Sequence, residues 1–198
     1  MLISKSKLIV GVFFMLPILE TDRCILRAVS IEDCNDMFEY ASDDKVVKYL
    51  TFPKHTNIEN TKEIINNFFI DRYEKGISYD YGIFYKEDCK FIGTAGFNSI
   101  KDGIATLGYC MNSNYWNKGI MTEVVNEIFR FGFNNLNINK IEAIYYDGNN
   151  KSGNVMTKCN MKYVGNEEKE IRLQGNMVHG KIHKCELTRD DYFKKVTL

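Results

Sequence analysis

A chain of 198 residues, of which 44% are hydrophobic and 26% are charged, is long enough to bury a core and has the composition of a soluble globular protein. Twenty-six basic side chains balance twenty-six acidic ones, which argues against a nucleic-acid partner because phosphate backbones are usually met by a basic excess. No repeat, low-complexity tract or linker divides the chain, so we expect one domain.

The cysteines and histidines do not form a metal-binding pattern. Six cysteines are scattered without a C-x-x-C pair, and the chain has only three histidines. His179 and His183 are four residues apart, but Gly175 and Gly180 predict a hairpin there instead of a helix face. We therefore expect no bound metal, and reduced cysteines in a cytoplasmic protein.

The first residues carry an apolar run that resembles a signal peptide. Lys5 and Lys7 precede apolar residues 8–19, but this run is too short to span a bilayer comfortably. No small-x-small cleavage site follows it, and a second methionine, Met15, stands where the domain pattern begins. We therefore expect residues 1–14 to be an over-extended start or a short appended segment, with the domain at 15–198, no membrane partner and no secretion.

The first half of the chain predicts a strand, two helices and three strands. Alternating residues 20–29 indicate an edge strand, and Ser30 with Asp33 is the capping signature of a helix that runs to about Ala41. Thr56 with Glu59 repeats that signature before a helix that stops at Gly76. The strands that follow are predicted at residues 80–85, 90–97 and 106–112.

The second half alternates helices and strands. A strongly amphipathic helix is predicted at 120–136, a strand at 141–146 and a short helix at 152–159, with Asn160 as its left-handed cap. The last strands are predicted at 162–164, 168–173 and 181–188. The resulting order, β-α-α-β-β-β-α-β-α-β-β, indicates a mixed α/β sheet and not a doubly wound one.

The polar loop at 112–119 leads directly into the long helix. The first N–H groups of a helix have no intrahelical partner and lie at the positive end of its dipole, so they favour a phosphate group. Gly119 has no side chain to keep a pyrophosphate away, and Lys118 adds a charge. The carboxylates of Glu123 and Glu127 fit this interpretation only if they face away from the phosphates. The segment is neither a P-loop nor a dinucleotide fingerprint.

Three segments together are similar to motifs of one superfamily. Leu107-Gly108-Tyr109 with residues 115–123 (YWNKGIMTE) resembles the coenzyme-A motif Q/R-x-x-G-x-G/A of the GNAT acetyltransferases. Residues 149–161 (NNKSGNVMTKCNM) resemble that superfamily's N-x-x-S-x-x-V-x-x-K-x-G-F motif. Residues 19–27 (LETDRCILR) resemble the L-x-T-x-R-L-x-L-R opening of the branch that holds the ribosomal-protein N-terminal acetyltransferases. The resemblance covers residues 17–192.

The sequence departs from these motifs at four places. Trp116 replaces Gln or Arg, and Met121 replaces a small residue. Asn160 and Met161 replace Gly-Phe, and Thr106 stands where relatives often carry Glu. The last departure removes one obvious general base.

The resemblance implies a fold and a reaction. The fold is a single α/β domain, with a mixed, mostly antiparallel sheet flanked by helices and two splayed central strands that bind acetyl-CoA. The reaction is acetyl transfer from acetyl-CoA to a primary amine, with a protein or peptide N-terminal α-amine favoured. A small-molecule amine (an aminoglycoside, polyamine or amino acid) and a non-catalytic acyl-CoA-binding module are the alternatives. A monomer and a homodimer are both open.

The resemblance also implies site residues. Ser152 is the candidate general acid, although it could instead cap its helix, and Glu170, Glu186 and Tyr109 are candidates for the base. A backbone N–H near Cys110 or Met111 would polarise the thioester carbonyl, and no histidine is placed by sequence to activate Cys110 as a nucleophile. The residues expected to bind acetyl-CoA are Cys110, Met111, Trp116, Asn117, Lys118, Gly119, Ile120, Met121, Thr122, Asn149 and Ser152.

Overall fold

The computed structural model describes residues 16–196 and contains one eight-stranded sheet in the order β1-β2-β3-β4-β5-β6-β8-β7. The strands are β1 Leu19–Glu20, β2 Cys24–Arg27, β3 Tyr79–Tyr85, β4 Lys90–Lys101, β5 Ile104–Met111, β6 Lys140–Tyr146, β7 Lys162–Leu173 and β8 Asn176–Thr188. The helices are α1 Cys34–Ala41, α2 Asp44–Val47, α3 Ile58–Ile64, α4 Asp71–Glu74, α5 Ile120–Asn135, α6 Asn150–Lys158 and α7 Arg189–Val196. A π-helical segment, Ile65–Ile70, joins α3 to α4.

The strands pair antiparallel everywhere except between β5 and β6. That pair is parallel, and its register covers only three residue pairs, from Ile104↔Lys140 to Thr106↔Glu142. Beyond Thr106 the two strands separate, so the centre of the sheet opens into a V. The mixed, mostly antiparallel sheet with two splayed central strands is therefore confirmed.

Helices cover both faces of the sheet. On one face α5 buries Val124, Ile128, Phe129 and Phe133 completely or almost completely against the strands. Its glycine, Gly132, lets Phe97 approach, since a Cβ there would lie 2.7 Å from the ring. A second cluster forms between α1, the π-helical segment and the opposite face. Each fully buried large side chain contributes about 1.5–3 kcal/mol, so these two clusters hold the sheet between its helices.

The helix boundaries confirm some of the capping predictions and correct others. Ser30 N–H donates to the Asp33 carboxylate (2.8 Å), as the capping signature predicts. The cap of α3 is Asn57, which accepts from Asn60 N–H (2.8 Å), so the prediction of Thr56 was wrong by one residue. Asn160 has φ +63°, which confirms its left-handed conformation after α6.

The last helix and strands are longer than predicted. Helix α6 begins at Asn150 with Asn149 at the N-cap position, so Ser152 lies inside the first turn and does not cap the helix. β7 and β8 form one continuous hairpin, and His179 and His183 both lie on β8 as the predicted hairpin requires.

The expected N-terminal extension, residues 1–14, lies outside the described residues. Within residues 16–196, no helix is long and apolar enough to cross a membrane. In the same range, no group of three or more His, Cys, Asp or Glu side chains is arranged to hold a metal ion.

Candidate active site

A cavity of about 590 Å³ lies where β5 and β6 separate, beside the first turns of α5 and α6. Its walls contain Tyr109 and most of the residues predicted to bind acetyl-CoA. These are Cys110, Met111, Trp116, Asn117, Gly119, Ile120, Met121, Thr122, Asn149 and Ser152. The structure thus brings together two sequence motifs that are about 30 residues apart.

Three predicted residues do not line the cavity. Lys118 turns its ammonium over the ring of Tyr115, 5.1 Å from the centroid. Glu170 lies on β7 with a largely exposed side chain 3.5 Å from His179. Glu186 lies on β8, 3.7 Å from Lys140. Neither glutamate is placed to remove a proton inside this cavity.

The start of α5 presents an uncapped helix end to the cavity. Gly119 occupies the N-cap position with φ +76° and ψ 0°, and within residues 16–196 the helix has no side-chain cap hydrogen bond. Gly119, Ile120, Met121 and Thr122 all line the cavity. Their N–H groups and the positive end of the helix dipole are therefore available to an anion.

Four lysines also line the cavity, and sequence reasoning missed all of them. Lys151 and Lys158 come from α6, whereas Lys45 and Lys48 come from α2 and the turn after it. Lys151 Nζ lies 4.2 Å from the centroid of the Trp116 ring. No aspartate, glutamate or histidine is among the described residues that line the cavity. The site is electropositive, as a phosphate-bearing ligand requires.

The edge of β5 supplies backbone donors to the same space. Asn112 N–H donates to Ile92 C=O (2.8 Å), so the alternation of an antiparallel ladder makes Cys110 a hydrogen-bonded partner of β4. Tyr109 and Met111 consequently direct their N–H groups away from β4, towards the gap that β6 has left. Of the two predicted donors, the Met111 N–H faces the gap between β5 and β6, and the Cys110 N–H does not.

The two hydroxyl groups at the first turn of α6 are hydrogen-bonded to each other. Ser152 Oγ donates to Tyr109 Oη (2.9 Å), and Tyr109 Oη donates to the Ser152 carbonyl (2.8 Å). Burial raises the pKa of Tyr109, although the hydrogen bond with Ser152 opposes the shift. Tyr109 therefore retains its proton at neutral pH and is not available as a base.

Cys110 is the other reactive group in the wall. Its thiol lies 3.4 Å from Thr94 Oγ1, and burial raises the pKa of the thiol. Cys110 is therefore a protonated thiol, which is a poor nucleophile because the thiolate is the reactive form. The cavity does not favour a covalent acetyl-cysteine.

The fold and this cavity define a class of enzyme. Residues 23–162 match the family model described as the acetyltransferase (GNAT) domain. Because that match covers more than half of the chain, the protein belongs to the GNAT acetyltransferase family, and it is an acetyl-CoA-dependent N-acetyltransferase.

Curated relatives carry the same class of name. The chain is 35% identical over 127 residues to the uncharacterised N-acetyltransferase p20 of Bacillus licheniformis, covering 63% of this chain and 71% of that protein. It is 30% identical over 153 residues to YoaA of Bacillus subtilis, another uncharacterised N-acetyltransferase, covering 76% and 86%. It is 22% identical over 167 residues to the ribosomal protein uS5-alanine N-acetyltransferase of Escherichia coli, covering 79% and 84%.

Solved structures share the fold at low identity. RimL, a ribosomal L7/L12 α-N-protein acetyltransferase in complex with coenzyme A, superposes with a TM-score of 0.77 at 18% identity, covering 88% of this chain and 99% of that one. Spermidine N-acetyltransferase of Vibrio cholerae, in complex with coenzyme A and spermine, superposes with a TM-score of 0.72 at 15% identity, covering 86% and 98%. The fold is thus shared by proteins named for quite different acceptors.

Proposed function

We propose that this enzyme acetylates the N-terminal α-amine of a peptide or protein. The observation that carries the proposal is the absence of any carboxylate or imidazole among the described residues lining the cavity. An amine must lose its proton before it attacks a thioester. A peptide α-amine, with a pKa of about 7.7–8.0, is partly neutral without help, whereas a lysine or polyamine amine near 10.4 needs a base.

The cavity fits the cosubstrate that the family uses. The uncapped start of α5 and the four lysines suit the phosphate groups of acetyl-CoA. Gly119 adopts left-handed backbone at the helix start (φ +76°), a conformation that glycine takes without steric cost. The gap between β5 and β6 suits an extended pantetheine arm, with Asn149 at its side.

Separate groups of the chain would stabilise charge and donate a proton at the acetyl thioester. Acetyl-CoA supplies an activated acetyl thioester. Met111 N–H would stabilise negative charge on the thioester carbonyl oxygen, an effect typically worth ~10²–10³ in rate. Ser152 would turn its hydroxyl from Tyr109 Oη to the departing sulfur, protonate it, and take back the proton that the attacking nitrogen releases as the amide forms.

The relatives support a peptide acceptor without being uniform. The Escherichia coli relative is named for an alanine of ribosomal protein uS5 and RimL for the α-N position of ribosomal L7/L12, whereas the Vibrio cholerae neighbour is named for spermidine. All six cysteines are unpaired, which agrees with the cytoplasmic location that this activity implies.

The test is a set of matched acceptors assayed with acetyl-CoA by mass spectrometry. One peptide carries a free α-amine and an internal lysine, its twin carries a blocked α-amine, and spermidine is the third acceptor. We expect acetylation of the free α-amine only, with a rate that rises with pH, is half-maximal near the α-amine pKa of about 8, and levels off above it. Faster transfer to the lysine of the blocked twin, or to spermidine, would overturn the proposal.

A further inference from the structure

The guanidinium of Arg23 lies on the outer side of the loop that begins α5. Arg23 Nη1 donates to Lys118 C=O (2.8 Å), and its Nε and Nη2 both contact Glu123 Oε2 (2.6 Å each). The backbone N–H of Arg23 donates to Glu123 Oε1 (2.9 Å). Arg23 does not line the cavity, so these contacts act on the far side of the loop.

The contact with Lys118 fixes which way one peptide faces. The carbonyl and the N–H of a trans peptide point in opposite directions, and the described chain contains no cis peptide. Since Arg23 holds Lys118 C=O on the outer side, the N–H of Gly119 points to the inner side, where Gly119 lines the cavity.

The loop on either side of this contact has left-handed backbone. Asn117 has φ +61° and Gly119 has φ +76°, and these two residue types adopt that conformation at little cost. Arg23 contacts the residue between them, Lys118, across 95 residues of sequence.

The contact with Glu123 removes a repulsion. Glu123 lies in the first turn of α5, where a free carboxylate would compete with a phosphate for the same N–H groups. Instead Arg23 takes both of its oxygens, and Glu123 is absent from the cavity lining. Glu123 thus faces Arg23 and not the cavity, as a phosphate group at the helix start would require.

We propose that Arg23 is a positioning residue for the pyrophosphate of acetyl-CoA. It turns the Gly119 N–H into the cavity and withdraws Glu123 from the helix start. This gives a role to the LETDR opening of the domain, in which Thr21 Oγ1 accepts from Cys24 N–H (2.9 Å) and shapes the turn that presents Arg23. The proposal rests on the placement of the phosphates given under Proposed function.

The test compares ligands that differ in their phosphates. In Arg23→Met, calorimetry should show that the Kd for coenzyme A rises about 10- to 100-fold, the effect of losing a hydrogen bond to a charged group. The Kd for 3′-dephospho-coenzyme A should rise by the same factor, because it retains the pyrophosphate. A loss confined to coenzyme A would place the effect at the 3′-phosphate and overturn the proposal, as would an unchanged Kd.

A second readout separates positioning from general destabilisation. The preference of the enzyme for acetyl-CoA over S-acetylpantetheine, which lacks all phosphates, is measured as a ratio of kcat/KM values. We expect this ratio to fall in Arg23→Met, whereas an equal loss with both donors would mean that Arg23 is only structural. Arg23→Lys keeps the charge but not the forked geometry of the guanidinium, so its donor ratio should lie between those of the unmodified enzyme and Arg23→Met. This variant remains informative if the methionine variant unfolds.

The chain offers a matched control on the same helix. Arg130 also forms two hydrogen bonds to a glutamate, Glu127 (2.7 and 2.6 Å), but on the exposed surface. Arg130→Met should leave the Kd for coenzyme A and the donor ratio unchanged. If the unmodified enzyme shows no preference for acetyl-CoA over S-acetylpantetheine, the proposed placement of the phosphates is wrong. If the unmodified enzyme shows this preference and Arg23→Met keeps it, only the proposed role of Arg23 is wrong.

Discussion

At the scale of single residues, Ser152 is the position where two predicted roles separate. Asn149 occupies the N-cap of α6, and the Ser152 hydroxyl is used in a hydrogen bond to Tyr109 (2.9 Å). The hydroxyl is therefore oriented by a residue of the cavity and not by the end of its own helix. This arrangement favours the chemical role.

We expect Ser152→Ala to lower kcat by roughly 10–10³, the range for lost acid–base catalysis. The KM for acetyl-CoA should change little, because a proton donor acts mainly in the transition state. Loss of the hydrogen bond to Tyr109 should cost about 0.5–1.5 kcal/mol of stability. Steady-state kinetics and thermal unfolding measure the two effects separately.

Tyr109→Phe provides the matched comparison, because it removes the partner hydroxyl and keeps the ring. If the two hydroxyls act as one unit, the double variant should lose less activity than the product of the single losses. Full turnover in Ser152→Ala would make the serine structural, and a bound water would become the next candidate for the proton donor.

At the scale of elements, the turn of the β7–β8 hairpin supports a segment that lines the site. Its two-residue turn, Gln174 and Gly175, has φ +48° and +83°, the signs that a type I′ turn requires. The same residues donate N–H groups to Leu50 C=O (2.8 Å) and Thr51 C=O (2.9 Å). The turn thus fixes the segment after α2 that lines the cavity through Tyr49 and Leu50.

Substitutions in this turn should change stability in opposite directions. Gly175→Ala places a Cβ in left-handed backbone and should cost about 1–2 kcal/mol, which lowers Tm by roughly 2–8 °C in a chain of this size. Gln174→Asn should increase the free energy of unfolding by up to about 0.5 kcal/mol and so raise Tm slightly, because Asn-Gly is the preferred type I′ pair. A higher Tm for Gly175→Ala would contradict the turn assignment.

At the scale of the whole molecule, carboxylates connect the loop at 112–119 and α5 to three separate elements. Each accepts a hydrogen bond across a boundary between elements. They are Glu39 from Asn112 Nδ2 (2.9 Å), Asp43 from Ser113 Oγ (2.8 Å) and Glu123 from Arg23 Nε (2.6 Å). Protonation of these groups would loosen the entrance of the cavity from several sides.

The pKa values of Glu39, Asp43 and Glu123 are all lowered in the folded protein. Hydrogen bonds lower the pKa of Glu39, chiefly one from Lys90, and that of Asp43, chiefly one from the Lys45 N–H. Burial acts to raise the pKa of Glu123, but its hydrogen bonds outweigh burial and lower it. A carboxylate whose pKa is lower in the folded state stabilises the fold at pH values above its ordinary pKa, which is 4.5 for glutamate. That contribution is lost as the pH falls through the lowered pKa of the folded state.

We therefore expect Tm to be nearly constant above about pH 5 and to fall steadily below pH 4.5, with coenzyme A affinity falling alongside it. Thermal unfolding between pH 3 and 7 measures the first effect and calorimetry the second. Glu39→Gln, which cannot ionise, should show a shallower acid slope than the unmodified chain. Equal slopes for the two proteins would show that Glu39 contributes nothing to acid stability.

The sequence by itself determined the local structure of this protein. The capping pair Ser30 and Asp33, the apolar stripe of α5, Gly119 at the helix start and Asn160 after α6 were all predicted and observed. Each depends on contacts within a few residues, or on a periodicity that one helix displays alone. The three motifs with their spacing then indicated the family, the splayed strands and most of the cavity wall.

Only the tertiary structure decided what surrounds that wall. Lys45 and Lys48 line the cavity about 70 residues before the loop that leads into α5, and Arg23 contacts that loop from 95 residues away in sequence. The long β7–β8 hairpin carries Glu170 to an exposed position beside His179, which no short pattern could indicate. Strand order and the splay of β5 from β6 fix these distances, and both arise from packing between elements distant in the chain, for which a local sequence pattern carries no signal.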